Sequence, residues 1–130
     1  MNLEAARVIV LAGSLFAAAG ANAGPASIGH LDAYRQQGIE QPDAQRGKQL
    51  WYTPVENRAC TSCHGENLAN PGKHVRTGKP IEPMAPSANP ARFQSAEKIE
   101  KWFLRNCKWT LGRECSLQEK ADILSWLASQ

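Results

Sequence analysis

The pentapeptide Cys60-Thr61-Ser62-Cys63-His64 constrains the fold of this chain more than any other stretch. Two thiols three positions apart, followed at once by an imidazole, form the Cys-x-x-Cys-His pattern to which a c-type haem is attached. At this spacing the thiols reach the two vinyl groups on one edge of a porphyrin, and the next side chain lies beneath the iron. The motif predicts one covalent haem c, with thioether bonds at Cys60 and Cys63 and with His64 as the proximal iron ligand.

Two other interpretations of the motif fit the rest of the chain less well. A structural zinc site needs a second pair of ligands at short spacing, and the remaining cysteines, Cys107 and Cys115, are eight residues apart. A thioredoxin-like redox motif needs alternating strands and helices around it, whereas Gly, Asn and Pro turns flank this one. The sequence therefore favours haem attachment over both.

The first 23 residues have the composition of a secretory leader. Arg7 precedes an apolar run over residues 8–19, and Ala21-Asn22-Ala23 is a small-x-small cleavage site. A retained membrane anchor is the alternative, but the run is shorter than the ~20 residues that a spanning helix needs. We expect cleavage after Ala23 and a periplasmic protein that does not span the membrane.

The four cysteines agree with an oxidising compartment. If haem takes Cys60 and Cys63, a disulfide between Cys107 and Cys115 is the expected state of the other two. Two free thiols are the alternative.

Helical patterns fill most of the chain after the leader, and we find no strand pattern. Gly47 interrupts the first helix of the main domain, as expected if another helix crosses close to its backbone; a merely tolerated glycine is the alternative. Three helix starts carry capping residues: Asp43 before residues 44–52, Ser95 before a helix that runs to about Asn106, and the capping box Ser116-Leu117-Gln118-Glu119.

These patterns predict a small all-α domain over residues 43–130, preceded by an N-terminal helical extension over residues 24–42. A core made only of side chains is marginal in a chain of 130 residues. A buried haem supplies the apolar surface on which such helices can pack.

Residues 80–90 form a stiff, extended segment, since four prolines fall within eleven residues. Met84 lies in the middle of it. Many small cytochromes c place the sixth iron ligand in a proline-rich loop beyond the attachment site, so Met84 is the first candidate for the distal ligand.

The loop over residues 65–78 is rich in Asn, Pro and Gly. A haem-ligating imidazole needs a hydrogen bond at its other ring nitrogen, and the carbonyl of Pro71 is our candidate acceptor. Three basic residues are candidates to contact the haem propionates, although a solvated basic loop would have the same sequence: His74, Arg76 and Lys79.

The second of the three capped helices carries an apolar stripe that ends on an amide. Ile99, Trp102 and Phe103 form the stripe, and its next position is Asn106. A buried side-chain amide needs a partner, and two are available here: nearby backbone groups, which it would cap by hydrogen bonds, or the iron, which it would bind. The residues alone favour capping of the backbone, with Met84 as the iron ligand.

Basic residues concentrate in one part of the chain. Residues 73–113 contain nine Lys or Arg against three Glu, in a chain whose formal net charge is +3. Such asymmetry predicts a basic face that steers an acidic protein partner or neutralises haem propionates. Nucleic-acid binding explains it poorly, because no recognition motif is present and the location is wrong.

With these residues in view, the chain resembles class I cytochromes c, and more closely the sphaeroides haem protein family of oxygen-binding cytochromes c. The attachment motif is not specific to that family, whereas the Asn106-Cys107 pair with Cys115 eight residues on, together with Met84-Ala85-Pro86-Ser87, is much more so. The resemblance covers most of residues 43–127. The matching stretches are residues 43–47, 60–67, 71–74, 77–79, 81–87, 89–90, 101–107 and 111–113.

The resemblance implies a class I cytochrome c fold with an asparagine as sixth ligand beside a disulfide. In this chain those positions are Asn106, Cys107 and Cys115, so the order of the two distal candidates is reversed. A neutral amide oxygen is a weak ligand, above all for ferrous iron, so reduction should release it. The resemblance also implies electron transfer from a di-haem cytochrome c or a membrane cytochrome b, and binding of a small diatomic ligand.

The sequence thus predicts a periplasmic monohaem c-type cytochrome that transfers electrons and binds O2, NO or similar ligands. We expect a redox and ligand-binding haem protein rather than an enzyme, with at most weak oxidoreductase activity toward O2 or nitrogen oxides. A plain electron carrier with His64 and Met84 as axial ligands is the alternative.

Overall fold

The computed structural model describes residues 25–130, most of which lie in helices or in the loops that join them. The strands are β1 (Gly72–Lys73) and β2 (Pro80–Ile81), which pair antiparallel with Gly72 opposite Ile81. The helices are α1 (Pro25–Gln36), α2 (Ala44–Tyr52), α3 (Thr61–His64), α4 (Ala96–Leu111) and α5 (Leu117–Ala128).

The all-α prediction is confirmed. The prediction of no strand is wrong by this one pair of two-residue strands, which is too short to show an alternation of polar and apolar side chains. The predicted leader lies outside the described residues. Within residues 25–130, no helix is long and apolar enough to cross a bilayer.

The predicted helix starts are confirmed. Asp43 caps α2 by accepting hydrogen bonds from two backbone N–H groups of its first turn, at 2.8 and 3.1 Å. The Ser95 hydroxyl accepts one from the first turn of α4, and Ser116 and Glu119 form the capping box of α5. Because these caps satisfy N–H groups that have no partner inside the helix, they fix where each helix begins.

Helix α4 is longer than predicted. It continues through Cys107 to Leu111 and ends at Gly112, whose φ of +71° is the left-handed conformation typical of a helix C-terminus. The disulfide links Cys107 within α4 to Cys115 just before α5, so the loop that it closes begins only after the helix. Asn106 therefore lies inside a helix and not at its end.

Helices α2 and α5 cross at Gly47. A Cβ atom there would lie 2.1 Å from the backbone oxygen of Asp122 and 2.7 Å from the backbone nitrogen of Ile123, so the predicted close crossing is confirmed. At the same crossing the Asp122 carboxylate accepts hydrogen bonds from the backbone N–H of Asp43 at 2.7 Å and from Arg46 Nε at 2.8 Å. The crossing is thus held by close backbone packing and by a half-buried ion pair.

Helix α1 packs on α4 and α5. Leu31 and Tyr34 of α1 join Ile99, Ala121 and Leu124 in one apolar cluster. This contact holds α1 against the two helices that follow the proline-rich segment.

Glu100 of α4 links the same three helices by hydrogen bonds. It accepts from His30 Nε2 at 2.8 Å and from the Tyr34 hydroxyl on α1, and from Lys120 Nζ at 2.7 Å on α5. Burial acts to raise the pKa of this carboxyl, but the three donors outweigh it and lower the pKa to about 2. The network fixes the first half of α4, the helix that carries Asn106.

Glu100→Gln should therefore destabilise the protein at neutral pH and cease to do so in acid. The folded-state pKa of Glu100 lies below its ordinary value of 4.5, so its contribution to stability is complete above about pH 4.5 and is lost as the pH falls toward about 2. Urea unfolding at about pH 7 and about pH 2.5 measures the difference. Glu66→Gln, an exposed carboxylate on a loop, is the control; an equal loss from Glu100→Gln at both pH values would contradict the prediction.

Candidate haem site

A cavity of about 910 Å³ lies between α4 and the segments that carry the attachment motif and the prolines. The structure brings the motif and both distal candidates to its wall: Cys60, Cys63, His64, Met84 and Asn106. The disulfide cysteines line it as well.

Helix α3 places the thiols of the motif. It is a single turn in which the His64 N–H donates to the Cys60 carbonyl at 3.1 Å, and Gly65 ends it with a φ of +72°. Cys60 and Cys63 are free thiols, whereas the predicted disulfide between Cys107 and Cys115 is confirmed. Burial raises the pKa of the Cys60 thiol to about 11. Both thiols are thus available for thioether bonds.

The His64 imidazole packs against the Trp51 indole, with ring centroids 5.1 Å apart, and Trp51 contacts Trp126 at 5.8 Å. Burial lowers the pKa of His64 to about 4, and the nearby charge of Arg92 adds to the effect. The ring is therefore neutral at physiological pH, the state in which imidazole binds a metal. Its Nδ1 is buried without a partner among the described residues, so the predicted bond to the Pro71 carbonyl is absent.

The loop backbone at Gly72 lies directly against the motif. A Cβ atom on Gly72 would lie 2.3 Å from the Cys63 carbonyl oxygen and 2.9 Å from the His64 Cα. Any other residue there would displace backbone, because neither neighbouring atom belongs to a flexible side chain. The β1–β2 pair therefore packs directly on the backbone of the attachment motif, and only glycine at position 72 allows so close a contact.

The two candidate distal ligands have different surroundings. Asn106 is exposed at the cavity wall, and its amide makes no hydrogen bond with the described residues, so the backbone-capping role is absent. Met84 is only 9% exposed and belongs to the main apolar cluster with Trp51 and Leu68. Of the two, the amide is the group that lacks a protein partner.

Positive side chains dominate the charged part of the wall: Arg76, Arg92, Lys98, Lys101 and Arg105. Glu82 is the one carboxylate in this wall. Two of the three predicted propionate contacts, His74 and Arg76, thus lie at the cavity, whereas Lys79 does not line it. The His74 Nδ1 accepts hydrogen bonds from the backbone N–H groups of Arg76 and Thr77, each at 3.3 Å. The wall suits the two carboxylates of a haem.

Sequence reasoning missed Arg92, which is half-buried at the cavity wall. Its Nε donates to the Pro83 carbonyl at 3.0 Å and its Nη2 to the Glu82 carbonyl at 2.6 Å. A signal was available, because prolines carry no N–H and the carbonyl groups of a proline-rich segment need donors from elsewhere. An arginine two residues after Pro90 can supply them.

Two aromatic residues of the cavity wall are hard to identify from the sequence as part of the site. Trp51 falls on the apolar face of α2, where contact with a ligand histidine looks the same in sequence as ordinary core packing. Phe93 has a φ of +61°, which is rare for a bulky side chain, and it packs against both apolar clusters. No pattern in the sequence distinguishes that conformation.

The residues present fit a covalently held haem. Two free thiols and a neutral imidazole lie on one turn of helix, and the His64 Nδ1 is a buried polar atom without a protein partner in the described part of the chain. Most of the remaining wall is apolar, aromatic or cationic, as a porphyrin with two propionates requires. The fold and the site together define a c-type cytochrome.

Comparisons with known proteins identify the family. Residues 37–127 match a family model described as a domain of unknown function, DUF1924. Cytochrome c-type protein SHP of Cereibacter sphaeroides is 41% identical over 119 residues, which cover 83% of this chain and 92% of SHP. The chain belongs to the SHP family of c-type cytochromes and carries one covalently bound haem c.

Solved structures agree with this assignment. Oxidised SHP, described as an oxygen-binding cytochrome c, matches with a TM-score of 0.75 at 38% identity over 82% of this chain and 99% of the chain in that structure. Cytochrome c'' of Methylophilus methylotrophus is 44% identical over 72 residues, which cover 55% of this chain and 50% of the relative. Its solution structure, described as giving insights into the structural basis of haem-ligand detachment, has a TM-score of 0.65 at 32% identity over 80% of this chain and 93% of the chain in that structure.

Gly72→Ala should lower the free energy of unfolding of the haem-loaded protein by about 1–3 kcal/mol, the usual cost of overpacking. The added methyl group would meet the backbone of Cys63 and His64, so the loop or the motif must move. Lys73→Ala, on the next, exposed residue of the same strand, is the matched control. Thermal unfolding and the yield of covalently attached haem measure the effect. Wild-type values of both in Gly72→Ala would contradict the close contact.

Proposed function

We propose that this cytochrome transfers electrons in the periplasm and binds O2, NO or similar ligands at a distal site that Asn106 occupies in the ferric state. His64 is the proximal ligand, and Cys60 and Cys63 carry the thioether bonds. One observation supports the distal assignment above all: the Asn106 amide lies at the wall of the cavity that the motif lines, and it has no partner within residues 25–130.

The position of Asn106 suits a ligand that moves little. It precedes Cys107, whose disulfide to Cys115 ties the end of α4 to the start of α5. The hydrogen bonds of Glu100 hold the other half of the same helix. A side chain carried by a helix that is fixed in both halves needs only a rotation about its own bonds to bind or leave the iron.

The chemistry of the amide explains why binding should depend on oxidation state. Haem supplies a redox-active iron with one position for an exchangeable ligand. The Asn106 carbonyl oxygen is neutral and hard, so it holds ferric iron weakly and ferrous iron more weakly still. The freed NH2 group can then donate a hydrogen bond to a small ligand in the same cavity.

Two relatives support this proposal. SHP is described as an oxygen-binding cytochrome c, and the structure of cytochrome c'' addresses the detachment of a haem ligand. Both descriptions fit a distal ligand that dissociates from the iron, whereas a methionine bound in both oxidation states would not dissociate.

The proposal extends to partners and location. The leader over residues 1–23 directs the chain to the periplasm, where residues 43–130 form the haem domain and residues 24–42 a helical extension. A di-haem cytochrome c or a membrane cytochrome b donates electrons, and the positive charges around the cavity attract an acidic partner surface. The role is redox transfer and ligand binding, with at most weak oxidoreductase activity toward O2 or nitrogen oxides.

A plain electron carrier is the second candidate function, because Met84 also lines the cavity. In that case His64 and Met84 would bind the iron in both oxidation states. Met84 is only 9% exposed and belongs to the same apolar cluster as Trp51 and Leu68, which favours a packing role over ligation.

Asn106→Ala should leave the haem attached and make ferric iron five-coordinate or water-bound, because the distal amide is lost. The ferric absorption spectrum measures this. Gln94→Ala is the matched control: Gln94 is another amide at the cavity wall, its Nε2 donates to the Pro90 carbonyl at 3.2 Å, and its loss should leave the spectrum unchanged. A wild-type spectrum in Asn106→Ala would rule out Asn106 as the ligand.

Met84→Leu distinguishes the two candidate functions. If Asn106 is the ligand, neither the wild type nor this variant shows the near-infrared methionine-to-iron charge-transfer band in the ferric state, and both ferrous proteins take up carbon monoxide readily. If Met84 is the ligand, the wild type shows the band and Met84→Leu loses it. The second result would establish the plain carrier.

A further inference from the structure

Four of the eleven residues in the proline-rich segment over residues 80–90 are prolines, which have no N–H group, so the segment has fewer donors than carbonyls. Arg92 supplies donors from outside: its Nε donates to the Pro83 carbonyl at 3.0 Å and its Nη2 to the Glu82 carbonyl at 2.6 Å. The Asn89 Nδ2 adds a longer bond to the Pro83 carbonyl at 3.3 Å. One guanidinium therefore fixes two consecutive carbonyl groups.

The following part of the same segment is held by Leu68. Its carbonyl accepts hydrogen bonds from the N–H groups of Met84 at 2.9 Å and Ala85 at 3.0 Å. Residues 82–85 are thus tied to two other parts of the chain, and Met84 takes part through its own N–H group.

This restraint matters because Met84 lines the same cavity as Asn106. A thioether is softer than an amide oxygen and is the better ligand for haem iron, above all in the ferrous state. A chain with both side chains at one cavity should use the methionine unless its backbone is prevented from presenting it. In the structure Met84 is buried beside Trp51 and Leu68.

The backbone around Arg92 is itself fixed. The Arg92 N–H donates to the Asn89 carbonyl at 2.9 Å, and the next residue, Phe93, holds its left-handed φ of +61° while packing on both apolar clusters. A bulky residue keeps that conformation only where its surroundings impose it. The guanidinium therefore extends from an anchored point.

We propose that Arg92 is a positioning residue that keeps Met84 off the iron by clamping the carbonyl groups of Glu82 and Pro83. The inference rests on the proposed function, in which Asn106 is the ferric ligand. Arginine suits the task because its planar guanidinium presents several N–H donors in a fixed fork, whereas lysine presents one compact ammonium group.

Arg92→Ala in the haem-loaded protein tests the clamp. The ferric near-infrared spectrum should gain a methionine-to-iron charge-transfer band that the wild type lacks. If Met84 then occupies the iron in about nine-tenths of the ferrous molecules, the affinity for carbon monoxide falls about tenfold, because only the unoccupied fraction binds. Addition of Met84→Leu to the same chain should restore the wild-type spectrum and affinity.

Two further variants separate the clamp from charge and from misfolding. Arg92→Lys keeps the positive charge and most of the side chain but loses the fork, so it should show the band; it is also the variant to measure if Arg92→Ala does not fold. Lys98→Ala removes another positive charge from the cavity wall, from a side chain that makes no hydrogen bond to residues 82–85, and should show no methionine-to-iron band.

A wild-type spectrum and carbon monoxide affinity in Arg92→Lys would overturn the proposal. A band in Lys98→Ala would overturn it as well, because lost charge would then be the cause, and so would a band in Arg92→Ala that survives Met84→Leu. A methionine band in the wild type is a different result: it would refute Asn106 ligation and with it the proposed function.

Discussion

Burial of the His64 imidazole is the constraint on which the rest of the structure depends. A neutral ring is required of an iron ligand, and burial against Trp51 keeps this one neutral by lowering its pKa to about 4. The backbone at Gly72 approaches the motif so closely that a side chain there would displace it. The motif is thus held on one turn of helix by an indole and a loop, and the adjoining cavity of about 910 Å³ matches a fold built around a cofactor.

Helix α4 connects this site to the scaffold. Its apolar residues, Ile99 and Phe103, pack in the core, while Glu100 ties it to α1 and α5. The same helix brings Asn106 to the cavity wall, and the next residue, Cys107, fixes it through the disulfide. If Asn106 binds ferric iron as proposed, this helix holds the ligand in place from both of its halves.

The range of each interaction decides how much of this could be predicted from the sequence. The helix caps and the disulfide depend on near neighbours or on counting cysteines, and those predictions are confirmed. The apolar stripe predicts an end of α4 at about Asn106, although Gly112 carries the stronger stop signal. The contacts of Trp51 and Arg92 join segments distant in the fold and leave no periodic pattern. The choice between Asn106 and Met84 stays a prediction, since both positions suit a distal ligand in sequence.

A free-energy difference of a few kcal/mol between the two ligation states decides that choice. Hydrogen bonds to residues 82–85 can contribute a difference of this size. Hydrogen bonds from a charged donor contribute about 1.5–3 kcal/mol each and neutral ones about 0.5–1.5, so the two bonds from Arg92 and the two to the Leu68 carbonyl together amount to about 4–9 kcal/mol. About 5.5 kcal/mol suffices to shift a two-state equilibrium from almost wholly one state to almost wholly the other. The restraint that we propose on Met84 is therefore of the size that such a shift requires. If Asn106 is the distal ligand as proposed, the stronger ligand has to be held back, and the backbone hydrogen bonds of residues 82–85 are the groups that can do it.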